Sequence, residues 1–310
     1  MLHVRYSSSA GNKAILNMNN LRAYLCCIFI VLVWSGWITI SRYGVHTVLQ
    51  PADITLLRYM TAMVCVSPLI FRYDWSRHRW HQYLAVGLGI GFPYTMVTFY
   101  GLRAIKAAHA GVLVNGMLPV LGAVAAWYLL RQRVSNMRYF AITIIFISNL
   151  IMSGGDTFSL DHSWGILLLL TAAALYIMHM TGIKMWNFSW RDTLVVVSTV
   201  NAVLFFPLWL FLPSALFEAD PIDIISQAVY QGVMVNIIAL MCATYAIGRL
   251  GTITVSIFMS FVPVTTALLA WLLLGESLNG FELGGIAGCS TGLFIYSRGQ
   301  FLESRRSVLS

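Results

Sequence analysis

The side chains of this sequence best suited to chemistry lie inside long apolar stretches. Trp34, Trp37, Tyr94 and Tyr176 fall within or towards the middle of such stretches, the amides Asn115 and Asn236 lie deep in two others, and Tyr245 stands towards the end of the one that holds Asn236. Deep aromatic rings can wall a pocket for an organic ligand, although packing is their commoner role. A buried amide needs a hydrogen-bond partner, on a ligand or on a neighbouring helix. These seven residues are the candidate substrate-binding set. Charge and proton roles fall to Arg58, His109, His179 and Glu276. Arg58 lies roughly 9 Å into its stretch at ~1.5 Å per residue, within reach of the surface. It reads as a cation for a carboxylate or phosphate, or as a packing residue paired with Asp53. His109 and His179 lie nearer the ends of their stretches and titrate near neutral pH. Glu276 sits at a stretch end beside Asn279 and reads more readily as loop architecture. No Asp or Glu falls near the middle of any apolar stretch, so proton coupling would have to use a histidine, Glu276 or the ligand itself.

The elements that must position these residues are membrane spans. Hydrophobic residues make up 59% of the chain and charged ones 10%, against about 25% charged in soluble domains, and the mean hydropathy is +0.77. Apolar stretches occupy 22–42, 53–72, 82–103, 108–130, 138–154, 163–183, 192–212, 225–247, 251–274 and 281–297. Each is close to the ~20 residues that a helix needs to cross a bilayer. The net charge of +8 does not point to nucleic acid, because the charges lie between the spans, where they set topology. With the N-terminus in the cytoplasm, fifteen Lys and Arg residues fall inside and three outside, leaving Arg58 within a span. Both termini are therefore expected in the cytoplasm, and the bilayer is the chain's main partner. Cys26, Cys27, Cys65, Cys242 and Cys289 all lie in apolar segments, as packing thiols rather than disulfides. No pattern of catalytic, metal-ligating or cofactor-binding residues stands out. No His-Glu-x-x-His pair is present, and the one Gly-x-Ser-x-Gly match, Gly288-Cys289-Ser290-Thr291-Gly292, falls inside an apolar stretch rather than at a strand-to-helix turn, which argues against an intramembrane enzyme.

The chain repeats itself once. An offset of 144 residues carries Trp127-Tyr128-Leu129-Leu130-Arg131-Gln132 onto Trp271-Leu272-Leu273-Leu274-Gly275-Glu276, and Pro119 onto Pro263. An offset of 145 carries Gly87 onto Gly232, Gly91 onto Asn236 and Tyr100 onto Tyr245. Five spans per copy is an odd number, so the second copy enters the bilayer the opposite way up. Such inverted repeats are a signature of transporters whose substrate sits between the halves, near the midplane. The expected organisation is a cytoplasmic segment over 1–21, a first five-helix repeat over 22–154, a second over 155–297 and a cytoplasmic tail over 298–310. Within it, Gly87-Leu88-Gly89-Ile90-Gly91-Phe92-Pro93-Tyr94 is the most distorted helix segment. Gly91, Pro93, Pro119 and Pro263 are candidate kinks or hinges, since a proline inside a span removes a donor and bends the helix. Gly284, Gly288 and Gly292 form a small-residue stripe on the last span, suited to tight packing inside the fold or in a dimer.

In this order and spacing the chain resembles the drug/metabolite transporter superfamily, and specifically its EamA-type permeases of bacterial inner membranes. Trp34-Ser35-Gly36, Leu57-Arg58-Tyr59, Tyr245-Ala246-Ile247, Pro263, Leu274-Gly275-Glu276 and Gly284-Gly285-Ile286-Ala287-Gly288 carry the resemblance. The first copy departs from it with Gln132 where the second has Glu276. The resemblance covers roughly 22–297. It implies an all-α integral membrane protein with ten transmembrane helices, arranged as two inverted five-helix repeats around a central cavity. It also implies movement of small metabolites, often export. The residues bias the substrate towards an amphipathic or zwitterionic, amino-acid-like or drug-like compound, handled by a monomer or a homodimer. Uptake of a nucleoside- or vitamin-like compound and a non-transporting scaffold role are the alternatives.

The topology is open to a direct test. Green fluorescent protein fused after Ser310 should fluoresce and alkaline phosphatase fused there should stay silent, with the reverse for fusions at Asp220. The opposite pattern would overturn the orientation.

Overall fold

The computed structural model describes residues 20–36, 48–104, 112–129, 131, 135–152, 163–274 and 280–309. Among them every regular element is helical: α1 (Asn20–Gly36), α2 (Pro51–Ile70), α3 (Trp80–Gly89), α4 (Phe92–Ala104), α5 (Leu118–Tyr128), α6 (Asn136–Met152) and α7 (Ser163–Met185). These are followed by α8 (Trp190–Trp209), α9 (Pro221–Gln227), α10 (Leu240–Leu250), α11 (Thr252–Met259), α12 (Val262–Leu274) and α13 (Gly280–Leu309). Wide π-helical turns run over Val112–Gly116 and over Ala228–Ala239, which joins α9 to α10. Among the described residues six helices are long and apolar enough to cross a membrane: Pro51–Ile70, Trp80–Gly101, Ser163–Met185, Trp190–Trp209, Pro221–Leu250 and Thr252–Leu269. Shorter apolar helices occupy Asn20–Gly36, Val114–Tyr128, Asn136–Ile151 and Leu283–Tyr296. Their outer surface is apolar. Val64, Phe140, Leu167, Val203, Trp127 and Trp271 are all exposed, as an exterior bathed in lipid requires.

The interior is built around α2, α7 and α8, with α1, α3, α10 and α11 packed on them. A second apolar cluster joins α5, α6, α11, α12 and α13. There the glycine stripe of the last span turns inward. A Cβ on Gly292 would stand 2.5 Å from Ile145 Cγ1, and one on Gly288 would overlap the Ser148 side chain. The stripe therefore seats α13 against α6. All five cysteines are free.

Helix breaks organise the middle of the bundle, and proline placement explains them. Pro93, Pro119 and Pro263 each occupy the second position of a new helical segment, in α4, α5 and α12. Pro119 and Pro263, the candidate kinks, thus lie within the apolar helices Val114–Tyr128 and Thr252–Leu269, where one segment gives way to the next. A proline in the first turn sacrifices no intrahelical hydrogen bond, because that N–H would be unpaired anyway. Gly251 stands between α10 and α11 and makes the turn at φ 84°, a backbone region open to glycine.

The break between α3 and α4 is strapped from both sides. Ile90 and Gly91 lie outside the helices. The Phe92 amide donates to Asn201 Oδ1 of α8 (2.8 Å) and the Ile90 carbonyl accepts from the Tyr59 hydroxyl of α2 (2.9 Å). Asn201 Nδ2 donates to the carbonyls of Gly87 and Val197, both at 2.8 Å. Gly91 is required here, since a Cβ would overlap the Asn201 side-chain amide. Asn201→Ala leaves buried backbone groups unpaired, at about 1–3 kcal/mol each, and should lower the melting temperature of detergent-purified protein. Gly91→Ala should lower it too, and the double variant should lose less than the sum of the two. Additive losses would show that the two residues do not meet.

Candidate functional site

Four of the candidate residues come together where α1, α4 and α7 approach one another. The Tyr176 ring lies 5.3 Å from Trp34 and 5.9 Å from Tyr94, centroid to centroid, and 6.1 Å from the His179 imidazole, nearly parallel to it. Offset and tilted ring pairs at these separations are attractive beyond their buried area. Trp34 and Tyr94 retain part of their surface, while Tyr176 and His179 have none exposed. The approach of α7 depends on a glycine, because a Cβ on Gly89 would stand 2.8 Å from both His179 Cβ and the Leu175 carbonyl oxygen. Tyr94 follows directly from Gly91 and Pro93, so the helix break sets where its ring points.

The polar groups of this cluster are unevenly satisfied. His179 Nδ1 lies 2.7 Å from the Val86 carbonyl oxygen. A carbonyl only accepts, so Nδ1 carries the proton and Nε2 of the neutral ring is an acceptor. That Nε2 and the Tyr176 hydroxyl are both buried and meet no hydrogen-bond partner among the described residues. Tyr59, by contrast, is fully engaged with the Ile90 carbonyl and lies 3.0 Å from Thr95 Oγ1. The Arg58 guanidinium lies 5.6 Å from the Tyr59 ring centroid and is 8% exposed. It is not paired with Asp53, and that expectation is corrected. The Asp53 carboxylate is filled by the Trp209 indole N–H (2.9 Å), the Ser214 hydroxyl and the amides of Ala215 (2.9 Å) and Gln50 (3.0 Å).

The remaining candidates are dispersed. Asn236 lies in the π-helical stretch, 1% exposed, with Nδ2 3.5 Å from Ser198 Oγ of α8. Asn115 is buried in the other π-helical turn, and its Oδ1 meets no partner among the described residues. Tyr245 stands a turn before Arg249, whose guanidinium is 5.8 Å from its ring. It therefore belongs to the end of the bundle rather than to the aromatic cluster. Trp37, His109 and Glu276 lie outside the described residues.

Sequence reading missed Tyr59, Thr95 and Asn201, which hold the broken helix that presents Tyr94. Their signal was present: a polar side chain in the interior of an apolar stretch needs a partner. Among the described residues every Asp and Glu lies at a helix end, in a loop or in the polar end of α13.

With this geometry in hand, the relatives are informative. The EamA-like transporter family model matches the chain twice, over residues 21–154 and 163–298. The chain belongs to the EamA-like transporter family. It is 23% identical to an uncharacterized transporter of Archaeoglobus fulgidus, over 86% of this chain and 94% of that protein. It is 22% identical to the uncharacterized transporter YrdR of Bacillus subtilis, over 92% of this chain and 94% of that one. A solved crystal structure superposes with a TM-score of 0.70 at 16% identity, over 88% of this chain and 96% of that one, which supports the fold alone. The EamA-type chain is thus a multi-pass membrane transporter, and the junction of its two matched segments falls in 155–162, near the expected boundary between the copies.

The cluster predicts an order of stabilities. Tyr176→Phe removes a hydroxyl that no described residue engages, so the melting temperature of the ligand-free protein should not fall. Tyr59→Phe removes a used one and should cost about 1–2 kcal/mol. The reverse order in a thermal melt would sink this assignment.

Proposed function

We propose that this transporter moves small organic metabolites across the bacterial inner membrane by alternating access, most simply as an exporter of amphipathic or zwitterionic compounds, amino-acid-like or drug-like. In this reading ten helices form two inverted five-helix halves, both termini are cytoplasmic, and the halves rock around a fixed central site. The observation that carries the proposal is the Trp34–Tyr94–Tyr176 cluster. It draws on both family-matched segments, lies beside a broken helix, and offers two unused polar atoms amid aromatic surface. Broken helices and convergent polar groups in an apolar setting mark transport sites. Aromatic walls suit the apolar part of a substrate. The Tyr176 hydroxyl and the His179 Nε2 acceptor suit its polar part. Asn115, Asn236 and Arg58 supply further polar contacts in this reading. Mid-span carboxylates are missing from the described residues, which favours exchange, facilitated movement or a histidine-linked coupling over a carboxylate proton relay.

The test begins with thermal-shift screening of purified protein against amino acids, nucleosides, vitamins and cationic dyes, since a ligand of the folded state raises its melting temperature by mass action. A hit is then loaded into proteoliposomes for counterflow. Trp34→Ala and Asn236→Ala should each lower flux about tenfold or more, the equivalent of ~1.4 kcal/mol of lost binding. Undiminished flux in both variants would refute the site.

A further inference from the structure

Two carboxylates at opposite ends of the bundle are structural counterparts. Asp53 is the third residue of α2 and Asp192 the third residue of α8. Each turns back to accept the amide of its own helix cap, Gln50 N at 3.0 Å and Ser189 N at 2.9 Å. The offset between them is 139 residues, and the same offset carries Pro68 onto Pro207, the proline inside each helix. It also carries Tyr59 onto Ser198 and Thr61 onto Val200. Those pairs make exchanged contacts. Tyr59 meets the break at Ile90–Gly91, while Ser198 meets Asn236, the residue aligned with Gly91. A Cβ on Gly87 would press on Val200 at 3.3 Å, and one on its counterpart Gly232 on Thr61 at 2.6 Å. α2 and α8 are thus related by position, by sequence and by what each packs against.

Each carboxylate also reaches across to the other family-matched segment. Asp53 of the first accepts from Trp209, Ser214 and Ala215 of the second, at the end of the bundle that carries Glu218, Asp220 and Asp223. Asp192 of the second accepts from Arg77 of the first at 3.1 Å, at the end that carries Arg72, Arg79, Lys184 and Arg191. Beside that ion pair, His78 stacks on Phe188 at 3.9 Å, which closes the basic end with apolar surface.

The geometry points to Asp53 and Asp192 as the paired latches of two gates, one at each end of the transport path, each tying one half of the molecule to the other. A carboxylate that also caps its own helix is held rigidly, so its cross-contact reports the position of the facing half and can be made or lost as a unit. Both latches are closed in this structure. In a cycle that opens one end at a time, the Asp53 contacts part while the Asp192–Arg77 pair holds, and the reverse. The inference rests on the alternating-access reading above.

The experiment measures distances, independently of any substrate. Spin labels are attached through a genetically encoded ketone amino acid at Arg72 and Arg191 for the basic end, and at Val48 and Glu218 for the acidic end, in protein held in lipid nanodiscs. Asp192→Asn and Arg77→Gln should shift the Arg72–Arg191 distribution to longer distances and leave Val48–Glu218 in place, with Arg77→Lys restoring the short distance. Asp53→Asn and Trp209→Phe should do the opposite. Ser189→Ala, which weakens the cap but spares the ion pair, should move the basic-end distance least. Arg77→Gln and Trp209→Phe leave both caps intact, so they decide the matter where an aspartate variant fails to fold. If either substitution moves both ends together, or leaves its own end unmoved, the latches are overturned. Flux in proteoliposomes with unmoved distances would sink the latches alone. Moved distances with no flux of any substrate would sink the transport reading alone.

Discussion

The structure turns on how backbone groups are satisfied where a helix is interrupted in apolar surroundings. In lipid no water can take an unpaired N–H or C=O, so an interruption survives only where protein supplies the missing partners. Between α3 and α4 those partners are Asn201 for the Phe92 amide and Tyr59 for the Ile90 carbonyl. Both side chains of the strap come from the central pair α2 and α8, so these helices must lie against the break. That seats Tyr94 against Tyr176 and fixes the aromatic cluster. Gly91 allows the approach, because only a residue without a Cβ leaves room for the Asn201 side chain.

The second copy solves the same problem differently. Where the first has glycine and a following proline, the second has Asn236 within a wide π-helical stretch. Its amide sits near Ser198 at 3.5 Å, at the limit of a hydrogen bond. One half therefore interrupts its helix and straps the gap. The other keeps a continuous but overwide helix with a polar side chain at the aligned position. Two related halves thus treat their matching positions unequally.

Charge has been moved away from this interior to the ends. The buried carboxylates Asp53 and Asp192 are among the few charged groups removed from solvent, and each is compensated by several donors, as a buried charge requires. Arg58 is the exception, a cation near the aromatic cluster whose Nε lacks a partner among the described residues.

The sequence by itself determined the class of the molecule. Composition demands a membrane, the offset of 144–145 residues reveals the duplication, and Pro93, Pro119 and Pro263 mark candidate kinks in the helices. These are local or periodic signals, and hydrophobicity, proline geometry and repetition all act along the chain. That the Asp192 carboxylate caps its own helix at Ser189 and also holds Arg77 came from the fold. Only the tertiary structure decided which deep aromatics meet. It gathered Trp34, Tyr94 and Tyr176, set Tyr245 apart beside Arg249, and gave Asp53 to Trp209 rather than to Arg58. Partners brought together across a hundred residues or more are chosen by packing and by the need to satisfy every buried polar group at once, and no stretch of chain carries that information alone.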